Sequence, residues 1–86
     1  MEWPGDAVLR ASPNPSTGAV LLRWPAQPEA GTLEVLDTEG RALLRRRVSP
    51  WTGEHALELS ASPGMYHCRL TWGARVLSTR LIITVP

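Results

Sequence analysis

Apolar side chains recur at every second position in short runs along the chain, and clusters of glycine, proline, asparagine and serine separate the runs. A period of two turns one face of a strand toward a core and the other toward water, whereas a helix spaces its apolar residues three and four positions apart. No stretch shows the helical spacing. The pattern predicts seven strands, over residues 8–11, 19–24, 32–37, 42–48, 55–59, 65–72 and 75–85. Leu33 and Val35, Leu57 and Leu59, Tyr66, Cys68 and Leu70, and Leu81 and Ile83 form the expected core face. Glu34, Glu58, Arg69 and Arg80 alternate outward between them.

The segments between the runs carry turn chemistry. In Ser12-Pro13-Asn14-Pro15-Ser16-Thr17-Gly18 two prolines fix φ, Pro15 pushes Asn14 to an extended conformation, and Gly18 can take positive φ. That loop is expected to be a rigid corner. Gly40 and Gly73 stand where a left-handed residue closes a tight hairpin, so runs three and four, and runs six and seven, should pair directly. The longer links, bounded by Pro25 and Gly31, by Ser49 and Gly53, and by Ser60 and Gly64, can carry strands between two sheets. None is long enough for a crossover helix, so the sheets must be antiparallel. The fold class that follows is all-β: a seven-stranded antiparallel immunoglobulin-like β-sandwich.

Eighty-six residues suit one domain, expected over residues 8–86 behind a linker of residues 1–7. The composition is ordinary globular, and a formal net charge of +1 gives no long-range field toward nucleic acid or a membrane. All basic residues are arginine. The single cysteine, Cys68, excludes an internal disulfide, so packing alone must hold the domain. Residues 1–7 include Glu2 and Asp6 and no apolar run, which argues against a secretory signal peptide within them. The longest apolar stretch, residues 81–85, is far short of the roughly 20 residues of a membrane-spanning helix, so no membrane insertion is expected.

Few residues suggest chemistry. Arg45, Arg46 and Arg47 alternate faces on a strand and suit an edge that repels other chains. Counting from Leu43 or from Leu44 gives opposite registers, so which arginines face out stays open. Trp24 and Trp72 close strands where large rings can cap a small core, while Trp3 and Trp51 lie in loops. Together the four could instead form a sugar-stacking platform. His67 and Cys68 are strand neighbours and point to opposite faces, so they cannot chelate one ion, and no metal or cofactor is expected. Ser49, His55 and Asp37 make a hydrolytic triad only on paper, and the chain reads as no enzyme. Tyr66 should bury its ring and bond its hydroxyl to nearby backbone, Asp37 should accept from the Gly40-Arg41 amides, and Asn14 should bond within its own loop.

The ordered set of the Pro13-Asn14-Pro15 corner, Asp37-Thr38-Glu39-Gly40-Arg41, Pro63-Gly64-Met65-Tyr66 and Thr79-Arg80-Leu81-Ile82-Ile83 resembles the type A (Por secretion) C-terminal sorting domain of the type IX secretion system. The resemblance covers nearly the whole chain. It departs where the family often has an aromatic at Leu36 and a basic residue near Thr84-Val85-Pro86. It implies a domain joined to a cargo protein upstream and recognised by an outer-membrane translocon. By that resemblance, cleavage by a sortase-like peptidase is expected to fall in or before residues 1–8. The passage runs through the periplasm to the cell surface or the medium. By the same resemblance, Gly64, Tyr66, Arg80, Leu81 and Ile83, with Asp37 and Arg41 in the hairpin, are the candidates for translocon recognition. Two other readings remain: a carbohydrate-binding module, and a passive fibronectin-like spacer or dimerisation module.

Overall fold

The computed structural model describes residues 8–85. The expected linker, Trp3 and Pro86 lie outside them. Seven strands form, β1 (Arg10–Ser12), β2 (Ala19–Arg23), β3 (Gly31–Leu36), β4 (Ala42–Val48), β5 (Glu54–Glu58), β6 (Gly64–Trp72) and β7 (Arg75–Ile83). All ladders are antiparallel, in a three-stranded sheet of order β1-β2-β5 and a four-stranded sheet of order β4-β3-β6-β7. The architecture is the expected immunoglobulin-like sandwich.

The three proline- and glycine-bounded links are the ones that change sheet, between β2 and β3, β4 and β5, and β5 and β6. The two hairpins stay within the four-stranded sheet, with φ of 85° at Gly40 and 56° at Gly73, a region that side-chain-bearing residues rarely adopt. In the corner, the Ser12-Pro13 and Asn14-Pro15 peptides are cis.

The core lies between the sheets. Leu22 from one sheet and Leu33, Val35, Cys68, Leu70 and Leu81 from the other are fully buried, with Val20, Leu57, Tyr66 and Ile83 around them. Of the expected core face, Leu59 is half-buried and packs on the cluster from beyond the end of β5. Cys68 sits among these side chains, and burial pushes its thiol up to about 11, so at neutral pH it is a protonated packing residue.

Two features differ from the sequence reading. Glu34 faces outward as the alternation requires, yet it is only 7% exposed, because Arg45 and Arg69 on the flanking strands fold over it. The register of β4 is set by Leu44, which pairs with Val35, and shifts between Val35 and Leu36, whose partner is Ala42. Leu43 is thus the extra residue of a β-bulge, which is why counting from it gave the opposite register. Val48 is buried and all three of Arg45, Arg46 and Arg47 are exposed on this edge strand.

Candidate functional site

Neighbouring antiparallel strands bring sequence-distant segments to one end of the four-stranded sheet. There β3 ends at Leu36, β4 begins at Ala42, β6 begins at Gly64 and β7 ends at Ile83. The register pairs Gly64 with Ile83, Tyr66 with Leu81, and His67 with both Leu36 and Arg80. All seven candidate residues therefore lie at this end, and Asp37, Arg41, Gly64 and Tyr66 line one shallow hollow of about 350 Å³ with Leu43 and Met65.

The seven divide by what their side chains can reach. Leu81 and Ile83 are buried at 0% and 3% exposure, so they act from inside the core. The Tyr66 ring is buried as well, and its hydroxyl donates to the Ser62 carbonyl at 2.5 Å, tying the loop before β6 to the strand. Asp37 holds the hairpin. Its Oδ1 accepts from the Glu39 and Arg41 amides, both at 2.9 Å, and its Oδ2 from Arg41 Nε at 2.9 Å. The Gly40 amide goes to the Asp37 carbonyl instead of the carboxylate. The Arg41 amide, then the charge and donors beside it, keep the Asp37 carboxyl below the usual carboxylate range. Arg41 and Arg80 are exposed, and at Gly64 a Cβ would meet nothing within 4 Å.

Asn14 was expected to bond within its own loop and reaches across to β7 instead. Asn14 Nδ2 donates to the Arg80 carbonyl at 2.8 Å, and its Oδ1 accepts from the Ile82 amide at 3.0 Å. The Ser16 amide donates to the Ile82 carbonyl at 2.9 Å, and the Thr84 amide to the Ser16 carbonyl at 2.8 Å. The corner thus runs as a short parallel bridge along the outer edge of β7, with Ser16 opposite Ile83. Arg80, Leu81 and Ile83 had been named as candidates on this strand, and Asn14 and Ser16 were missed as its partners. The proline frame was visible in sequence, but a contact spanning 66 residues leaves no local signal.

The remaining clusters do not assemble. Ser49 follows β4 at the far end of the sheet from Asp37, so no triad forms with His55. Among the described residues no group of histidine, cysteine, aspartate or glutamate could hold a metal ion. His67 is exposed and Cys68 buried, on opposite faces as the strand requires. Trp24 and Trp72 are 6% and 2% exposed, with ring centroids 6.4 Å apart at 57°, so they cap the core and offer no face to a sugar. Trp51 is exposed.

The fold is an immunoglobulin-like sandwich that gathers the marked residues at one sheet end, around a hairpin and the terminal strand. A sequence profile of the secretion system C-terminal sorting domain matches residues 11–84, and the chain belongs to that family. It is a C-terminal sorting signal of type IX secretion, attached behind a cargo that it directs across the outer membrane to the surface or the medium. The family is one of sorting signals and not of enzymes. No curated protein matches the chain.

Proposed function

We propose that the export machinery docks on the hairpin end of the four-stranded sheet, through Arg41, Arg80 and the open backbone at Gly64, while Asp37, Tyr66, Leu81 and Ile83 hold that surface in shape. The convergence of residues from three separate motifs on one sheet end supports this reading. Two exposed guanidiniums beside a shallow hollow suit a partner that presents carboxylates or backbone carbonyls, since each arginine offers a fixed fork of donors.

In this reading the folded unit spans residues 8–86, and residues 1–7 join it to the cargo. A sortase-like peptidase cuts in or before residues 1–8 after passage from the periplasm.

The test is location. The domain is fused behind a periplasm-targeted fluorescent protein in a bacterium with type IX export and compared with a translocon-null strain. Surface or medium fluorescence in the first strain only is expected, and the Arg41→Ala, Arg80→Ala double variant should leave most reporter in the periplasm while Arg23→Ala does not. A double variant exported as well as the parent would move the docking surface elsewhere.

A further inference from the structure

A net charge of +1 conceals an uneven distribution. On the outer face of the three-stranded sheet, Arg10 and Arg23 are balanced by Glu54 and Glu58. The outer face of the four-stranded sheet carries Arg45, Arg47, Arg69 and Arg80 against Glu34 alone, a net of three positive charges. Repulsion of stray strands explains arginines on the edge strand β4, but Arg69 stands on β6, paired on both sides.

Glu34 fixes the centre of this face. Its side chain is 9% exposed, and it takes Arg45 Nε and Nη2 at 3.1 and 2.8 Å on one oxygen and Arg69 Nε and Nη2 at 3.3 and 2.9 Å on the other. Each guanidinium thus spends its Nε/Nη2 edge on the carboxylate and keeps its Nη1 group on the far side, available to a second anion. The arginine side chains remain 67% and 45% exposed. The partnership holds the Glu34 carboxyl below its ordinary range, led by the Arg69 hydrogen bond, so the pair stays intact at neutral pH. Around it lie Met65, Val76 and Ile82, three exposed aliphatic side chains on the same face.

We infer that the outer face of the four-stranded sheet lies against an anionic phospholipid bilayer surface, its arginines meeting headgroup phosphates and Met65, Val76 and Ile82 resting at the headgroup boundary, without inserting. The hollow this face carries, about 610 Å³ between Thr32, Glu34, Arg45, Arg69, Thr71 and Val76, is wide open to solvent, so it suits an extended surface better than a small ligand, which needs an enclosing site. Exposed aliphatic side chains gain from a lipid boundary and gain nothing from a soluble polyanion.

The experiment is co-sedimentation of the 86-residue chain with vesicles of phosphatidylcholine alone or mixed with phosphatidylglycerol. Binding to the mixed vesicles only is expected, weakening as salt rises. Arg69→Gln and Arg80→Gln should each lower the partition about five-fold, the equivalent of ~1 kcal/mol per arginine at an anionic surface, whereas Arg10→Gln on the opposite sheet should leave it unchanged. Circular dichroism of each variant separates loss of binding from loss of fold, and the double variant Met65→Ser, Ile82→Ser serves if a charge variant fails to fold. Equal partition to both vesicle types, no partition to either, or an equal loss in Arg10→Gln would overturn the assignment. So would capture by dextran sulfate without capture by vesicles. No outcome depends on export, so this assignment and the translocon reading can fail separately.

Discussion

At one end of the four-stranded sheet two indoles shut the core. Trp72 lies directly over Gly31, where an added Cβ would come within 2.6 Å of its Nε1, and Trp24 leans against it from the other sheet. At the other end, where the family motifs meet, the closure is polar: the Asp37 turn, the Tyr66 hydroxyl on Ser62, and the grip of Asn14 and Ser16 on β7. Apolar closure is strong and anonymous, since any well-packed ring of the right size serves. Hydrogen-bonded closure contributes less per residue but fixes where particular groups sit. The molecule uses the first to stay folded and the second to fix the places of the marked residues.

The contrast is open to direct attack, beginning where the effect is largest. Trp72→Ala should cost about 3–5 kcal/mol, because it removes a fully buried ring and leaves a cavity, and urea unfolding followed by circular dichroism measures it. Gly31→Ala should be destabilising for the complementary reason, since its methyl group meets the same indole. At the polar end, Asn14→Ala should cost about 1–2 kcal/mol for two lost backbone contacts, and amide exchange should speed up at Ile82 while remaining slow in the β3–β6 ladder. Tyr66→Phe keeps the buried ring and loses one hydrogen bond, about 1 kcal/mol. A polar-end variant as damaging as Trp72→Ala would erase the distinction between the two ends.

The smallest effect is a pH dependence. The folded-state pKa of Asp37 is depressed, so its contribution is present above the unfolded value and is lost as pH falls through the folded one. Asp37→Asn should therefore be less stable than the parent at neutral pH, with the difference closing in acid. A difference that persists unchanged in acid would mean that the turn depends on the shape of the side chain and not on its charge.

Much of this was legible in the sequence, and the parts that were not share a cause. Period-two runs and turn residues are local, so β4 was read with its full bounds and β2 within a residue. The Tyr66 hydroxyl and the Asp37 turn were also foreseen, because their partners lie four residues away. Glu34 was read as an ordinary outward residue because its two arginines come from strands 11 and 35 residues away. Asn14 was assigned to its own loop for the same reason. Leu43 misled in another way: a bulge inserts one residue into a period of two, and the two candidate registers of the arginine run were the two sides of that insertion. The candidate recognition residues came from motif order, while the alternation had already set Leu81 and Ile83 on the core face and Arg80 outward, as the structure has them.

The grip of the corner on β7 joins the beginning of the domain to its end. The edge of the terminal strand is occupied by residues that precede it by more than 60 positions, and closing so long a loop is work that only a completed fold can offset. A chain cut short, or one still threading its middle strands, has the terminal sequence without its placement. In the proposed reading the strand signals completion as well as address: an apparatus that reads the placed strand admits finished molecules and passes over the rest.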